Sequence, residues 1–181
     1  MSQEDFCRND PLPCQKNLGI KRIEMPQINT QTDLKKLRYI AKKQLNFKST
    51  KVCGVVVSKL KNKIFASQKE INTSRAMDIA LRSKMIREKT KKTKKTKKTK
   101  TPQVPVILLY SSKKNEYLVV DGHHRWLAYY MYGTKKHKMN SLILEINDDK
   151  HETLEDAFHQ LNKALMKDKH VFHKRHTFKN K

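Results

Sequence analysis

The sequence predicts a small mixed-sheet α/β (α+β) domain, and three observations predict it. Short apolar, β-branched runs such as VCGVVVSKL and VPVILLY alternate with segments whose apolar residues recur at helical spacing. Only 36% of the 181 residues are hydrophobic, yet they cluster in the middle of the chain, where they can form one core between tails. Tyr117–Tyr130, YLVVDGHHRWLAYY, reads as a strand, a tight turn and a helix.

The elements follow in order. Residues 1–19 are polar, carry Pro11, Pro13 and Gly19, and form a flexible lead-in. Ile20–Ile28 alternates and holds Pro26, as a short edge strand entering a turn does. Asp33 is placed to cap a helix carried by Leu34, Leu37, Ile40, Ala41 and Leu45 and ending near Asn46. Val52–Leu60 is β-branched enough for a strand buried on both faces. Phe65–Ile71 reads as a loop, and Thr73 or Ser74 caps a second helix running through Ala76, Met77, Ile79, Ala80, Met85 and Ile86. Val104–Tyr110 is a strand, SSKKNE a hairpin turn, and Tyr117–Val120 the returning strand. His124–Met131 is helical with Gly133 as its stop. Ser141–Ile146 is a strand, and Leu154, Ala157, Phe158, Leu161, Ala164 and Leu165 mark an amphipathic last helix. The expected order is β-α-β-α-(insert)-β-β-α-β-α, with the domain spanning 20–166.

Residues 89–103 interrupt that order. Lys91–Thr99 is KKT three times over, a low-complexity run that cannot bury surface and whose lysines repel one another. It is expected to be a disordered insertion, and residues 167–181 a loose basic tail in which His170, His173 and His176 default to solvation. The formal net charge is +24; the eight lysines of 89–103 account for a third, leaving +16 on the rest of the chain. Such a charge favours polyanionic partners, nucleic acid among them. The KKT run suits sequence-blind contact to nucleic acid phosphates, a nuclear-import signal, or a merely solvated loop.

Other classes are disfavoured. Cys7, Cys14 and Cys53 are odd in number and have no CxxC spacing, so no disulfide framework is expected, and Cys53 reads as an inert core residue. No apolar run approaches the roughly 18 residues of a membrane span, and MSQEDFCRNDPLP has no apolar signal-peptide core. The expectation is an intracellular protein, cytoplasmic or, in a eukaryotic host, alternatively nuclear, without a membrane partner.

The chemistry gathers at Asp121–Arg125, DGHHR. Gly122 permits a tight turn, after which His123, His124 and Arg125 open a helix. Backbone N–H groups at a helix start attract anions, and a guanidinium one turn in binds phosphate oxygens bidentately. Asp121, at the carboxyl end of the strand, is placed to hold a hydrated Mg²⁺ or orient a nucleophile. The opposing reading is an ordinary strand–Gly–helix turn with solvated polar caps. Zinc is disfavoured, because adjacent histidines do not share a helical face and no cysteine is near. Trp126 and Tyr130 share a helical face and read as core, not as a stacking platform. Glu152, Glu155 and Asp156 suit the positive end of the last helix.

DGHHRWLAYY after an apolar strand resembles the phosphate-binding motif of the ParB/sulfiredoxin superfamily, in which Gly, two residues and Arg begin a helix. The DGHHR form is similar to ParB-like proteins of phages and viruses and to the ADP-dependent free-serine kinases. VVVSKLKNKIFASQKEI (Val55–Ile71) looks like the family's V-x-V-S-x-L strand leading to Q-x-E-I, with Gln68 and Glu70 in the last motif, and IEMPQI looks like the lead-in of phage members. The resemblance covers about residues 20–146.

It implies nucleotide phosphates at Gly122, His123, His124 and Arg125, Gln68 in the pocket, and Glu70 and Asp121 as the acidic pair, Glu70 as base or acceptor-binding residue and Asp121 assisting Mg²⁺. His123 stands where a sulfiredoxin carries Cys, which sets sulfinic-acid reduction aside. About 35 residues follow the last expected strand, too few for a helix-turn-helix and a dimerisation module. The function implied is a phosphotransferase or hydrolase using ATP or ADP, or CTP, with Mg²⁺. The alternative is a ParB-like DNA-binding protein or nuclease.

Overall fold

In the computed structural model, which describes residues 17–69, 71–86 and 103–167, six strands and four α-helices form one mixed sheet with helices on both faces. Glu70, nearly all of the expected insertion, all of the expected basic tail but Lys167, and residues 1–16 lie outside the described residues. The elements are β1 (Asn17–Ile20), α1 (Gln31–Tyr39), β2 (Ser49–Val55), β3 (Ile64–Gln68), α2 (Thr73–Arg82), β4 (Val106–Ser111), β5 (Glu116–Asp121), α3 (His123–Tyr132), β6 (Met139–Glu145) and α4 (Leu154–Lys167). The strand order is β1-β3-β5-β4-β6-β2. β1, β3 and β5 run parallel in sequence, β4 returns antiparallel beside β5, β6 lies parallel to β4, and β2 closes the far edge antiparallel to β6.

Period-two alternation divides the core. On one face Ile107, Leu109, Leu118, Val120, Leu142 and Leu144 pack against α1 and α4 through Leu37, Phe158 and Leu161. On the other, Val106, Leu108, Ala66 and Val119 meet α2 and α3 through Ala76, Ala80, Trp126 and Leu127. The small, buried residues Ala76, Ala80 and Ala128 suit the close packing of these two helices on each other. The face bearing α2 and α3 carries the site, because both helices begin just beyond the carboxyl ends of parallel strands β3 and β5.

Six local expectations are corrected. The edge strand is not Ile20–Ile28 but β1, which starts earlier at Asn17 and gives way to a 3₁₀ turn over Arg22–Glu24. Met25 and Ile28 are instead buried by lying on the sheet face, while Ile23 stays 86% exposed. Val52–Leu60 is not a doubly buried strand: β2 is an edge strand with Lys51, Val52 and Gly54 exposed, and Val57–Lys59 winds into a second 3₁₀ turn. Cys53 is accordingly half-buried at that edge and free, not in the core.

Phe65–Ile71 is not a loop, since Ile64–Gln68 is a strand buried at every position. The caps also shift by a residue or more. Thr30 caps α1 and Asp33 completes a capping box with it, and Asn72, not Thr73 or Ser74, caps α2 by accepting from the Arg75 amide. The first helix ends in a π-helical turn over Ile40–Gln44, and the second stops at Arg82, short of Met85 and Ile86. The hairpin, α3 with Gly133 at its end, and α4 stand close to where the sequence places them.

Candidate functional site

β5 ends in Asp121, and the chain turns at Gly122 with φ +88° before α3 begins at His123. A Cβ at Gly122 would sit 3.1 Å from Val106 Cγ2 and 3.3 Å from Val106 Cα, so both the left-handed backbone and the adjacent strand select glycine. The N–H groups of the first turn of α3 have no acceptor within the helix and give the turn its positive end.

The five residues of DGHHR divide their work. Asp121 is 7% exposed, and its Oδ2 accepts from the Ile28 amide at 2.9 Å while Oδ1 lies 3.4 Å from Arg22 Nη1. It thereby pins the segment from Arg22 to Ile28, the lead-in to α1, across the end of β5. His123 is 2% exposed; its Nε2 accepts from the Gln68 amide at 3.3 Å and lies 3.1 Å from Ser67 Oγ, which donates to Val119 O at 2.6 Å. Burial first, then the charges of Arg22 and His124, push its pKa down to about 3, against a smaller opposing effect of the Val119 backbone. The ring is therefore neutral near pH 7 and joins α3 to the end of β3.

His124 is half-buried, and burial, Arg75 and Arg22 push it down to about 4. The Arg125 guanidinium donates through Nη1 to Val104 O and lies 3.5 Å from Pro105 O through Nη2, tying the entry of β4 to the turn. Burial lowers its pKa, with Asp121 acting in the opposite direction.

These residues form one wall of a cavity of about 810 Å³. Gln68, at the end of β3, lines it together with Asp121, Gly122, His123, His124 and Arg125, so the structure brings six of the seven expected site residues together; Glu70 lies outside the described residues. Sequence reasoning missed the opposite wall. Arg75, Asp78, Ile79 and Arg82 present one face of α2 to the cavity, and Arg22 reaches it from the lead-in. The signal was available in part: 75, 78, 79 and 82 follow i, i+3, i+4, i+7 spacing, the periodicity of a single helical face. Arg22 carried no signal, because its place depends on contact with a residue 99 positions away.

Four guanidinium groups thus meet two carboxylates, Asp78 and Asp121, around the cavity. Guanidinium groups suit anions with several oxygens, through charge-assisted, bidentate hydrogen bonds. Among the described residues no group of three or more His, Cys, Asp or Glu could hold a metal ion. Asp121 Oδ2 accepts from the Ile28 amide and Oδ1 lies beside Arg22, so a hydrated Mg²⁺ at this carboxylate would share it with both partners. Among the described residues, no helix is long and apolar enough to cross a membrane. No family model, curated protein or solved structure matches the chain.

Proposed function

We propose that the protein is a nucleotide-binding, ParB-like phosphotransferase or nucleotide hydrolase that grips its ligand by the phosphates. One observation carries the reading: Arg22, Arg75, Arg82 and Arg125 converge on the cavity at the start of α3. The volume, about 810 Å³, falls in the range of sites that enclose ligands of nucleotide size. ATP, ADP or CTP would enter with its Mg²⁺ already on the phosphates, the usual way that ion reaches such sites with few protein ligands. Phosphoryl transfer asks the protein chiefly for positioning and charge stabilisation, which guanidinium groups on both walls would supply. In this reading Asp121 is a positioning residue: it holds Arg22 and the lead-in against the turn. Glu70, two residues after Gln68 in sequence, is the proposed base. An intracellular setting supplies such ligands.

The test is nucleotide titration followed by turnover. Wild type is expected to bind ATP, ADP or CTP below millimolar concentration, and Arg75→Ala to weaken binding by about tenfold, the loss of one charge-assisted contact. Glu70→Gln is expected to lower phosphate transfer or release while leaving binding intact. Absence of binding at millimolar nucleotide sinks the proposal, and equal loss of binding and turnover in Glu70→Gln removes the base role. The net charge of +24 favours a second reading, a DNA-directed protein using basic surface to hold the duplex backbone.

A further inference from the structure

The cavity wall has a chemical bias. Among the described residues that line it there is no Phe, Tyr or Trp; its only rings are the imidazoles of His123 and His124, and its apolar side chains are Ile28, Ile79 and Val104. The aromatics nearest the turn are spent elsewhere: Trp126 is fully buried, Tyr130 is 6% exposed, and their rings pack together 5.6 Å apart in the core. Protein sites that hold a nucleobase commonly do so by stacking it on a flat π face and pairing its polar edge. Here His123 is buried and bonded to the Gln68 amide, which leaves the small, half-buried ring of His124 and no indole or phenol face.

It offers instead a row of cations. Arg75 and Arg82 are exposed on α2 and seven residues apart, so their backbones are separated by about 10 Å along the helix axis. Arg125 and the first turn of α3 stand on the other wall. Asp121 partly neutralises Arg22 and the Val104 and Pro105 carbonyls hold the Arg125 guanidinium, which leaves Arg75 and Arg82 as the exposed cations of the wall, facing a single further carboxylate, Asp78. A separation of that length engages a chain of phosphates better than one phosphate alone, and each added phosphate meets more guanidinium.

We infer that the pocket selects its ligand by the number of phosphates and is indifferent to the base. Its ligand class is the triphosphate chain: any nucleoside triphosphate, and inorganic triphosphate too. This rests on reading the cavity as a phosphate site.

Calorimetric titration of the full chain at fixed ionic strength tests it, with ATP, GTP, CTP, UTP and inorganic triphosphate beside ADP and AMP. The five triphosphates are expected to agree within about threefold, with ADP about tenfold and AMP about a hundredfold weaker than ATP. The double variant Arg75→Gln/Arg82→Gln, both at exposed positions of α2, is expected to remove most of the step between ATP and ADP. A preference of tenfold or more for one base, or silence of inorganic triphosphate beside a binding nucleotide, overturns the inference and leaves the nucleotide reading standing. An unchanged panel in the double variant also overturns it, because base-blind binding then belongs to another basic part of the chain. If no phosphate compound binds at millimolar concentration, both readings fail.

Discussion

His123 begins a helix and at the same time closes that helix against a strand. Its imidazole is buried between Ser67 Oγ and the Gln68 amide, and it is held neutral by burial with a pKa of about 3. In the unfolded chain the same ring titrates near 6.5. Between those two values the unfolded state binds a proton that the native state does not, so stability rises with pH across the window. The contribution is whole above about 6.5 and is lost as the pH falls toward about 3. His124, pushed down to about 4, acts in the same direction. Urea unfolding midpoints measured from pH 7.5 to 4, a range chosen to span roughly this window, are expected to fall steadily in wild type and to flatten in His123→Gln. An unchanged slope in that variant removes the ring from the account. Gly122 beside it shows a second kind of residue-scale control: a left-handed φ and the nearness of Val106 leave space for hydrogen only.

At the scale of elements, the lead-in and β5 are joined by one carboxylate. Asp121 accepts from the Ile28 amide within the buried end of the sheet and meets Arg22 at the rim. The two contacts differ in worth. Removing the carboxylate strands a buried N–H, which costs about 1–3 kcal/mol. The Arg22 ion pair is long at 3.4 Å and its cation 43% exposed, so it contributes at most about 1 kcal/mol. Thermal melts are therefore expected to show Asp121→Ala clearly destabilised and Arg22→Ala nearly unchanged, while Arg22→Ala still weakens anion binding. Equal destabilisation of the two variants would show that the ion pair, not the amide bond, anchors the lead-in. The element that sequence reasoning misread most fully is β3. FASQKEI has no period-two pattern, because Ser67 and Gln68 are polar and buried; Val119 O and the His123 ring give them partners, and no partner 52 or more positions away can be read from local sequence.

For the whole molecule, the pocket and the Lys/Thr run divide the basic charge. The run supplies eight lysines of a net +24 and the rest of the chain +16. Contacts between lysines and a nucleic acid backbone release counterions, so affinity falls steeply with salt in proportion to their number. Deletion of residues 90–101 is expected to reduce both the affinity for duplex DNA and its salt slope, while nucleotide affinity at the pocket stays within about twofold. DNA binding that keeps its full slope after deletion would place the DNA contact on the folded body.

The sequence by itself determined the α/β class, the hairpin of β4 and β5, the helices α3 and α4, and the turn at Gly122. Each of these rests on local physics: strand runs, helical periodicity, and a glycine where the chain must reverse its hand. It also marked Asp121–Arg125 as the chemical centre. Only the tertiary structure decided what those residues do together. It placed the face of α2 with Arg75 and Arg82 across the cavity, turned His123 inward to a neutral packing role, and committed Asp121 to the Ile28 amide. It also made a buried strand of polar residues and an exposed edge of β-branched ones. The reason is the same in each case: burial and hydrogen-bond partners are set by residues distant in sequence, and local pattern records a residue's preference but not its neighbours.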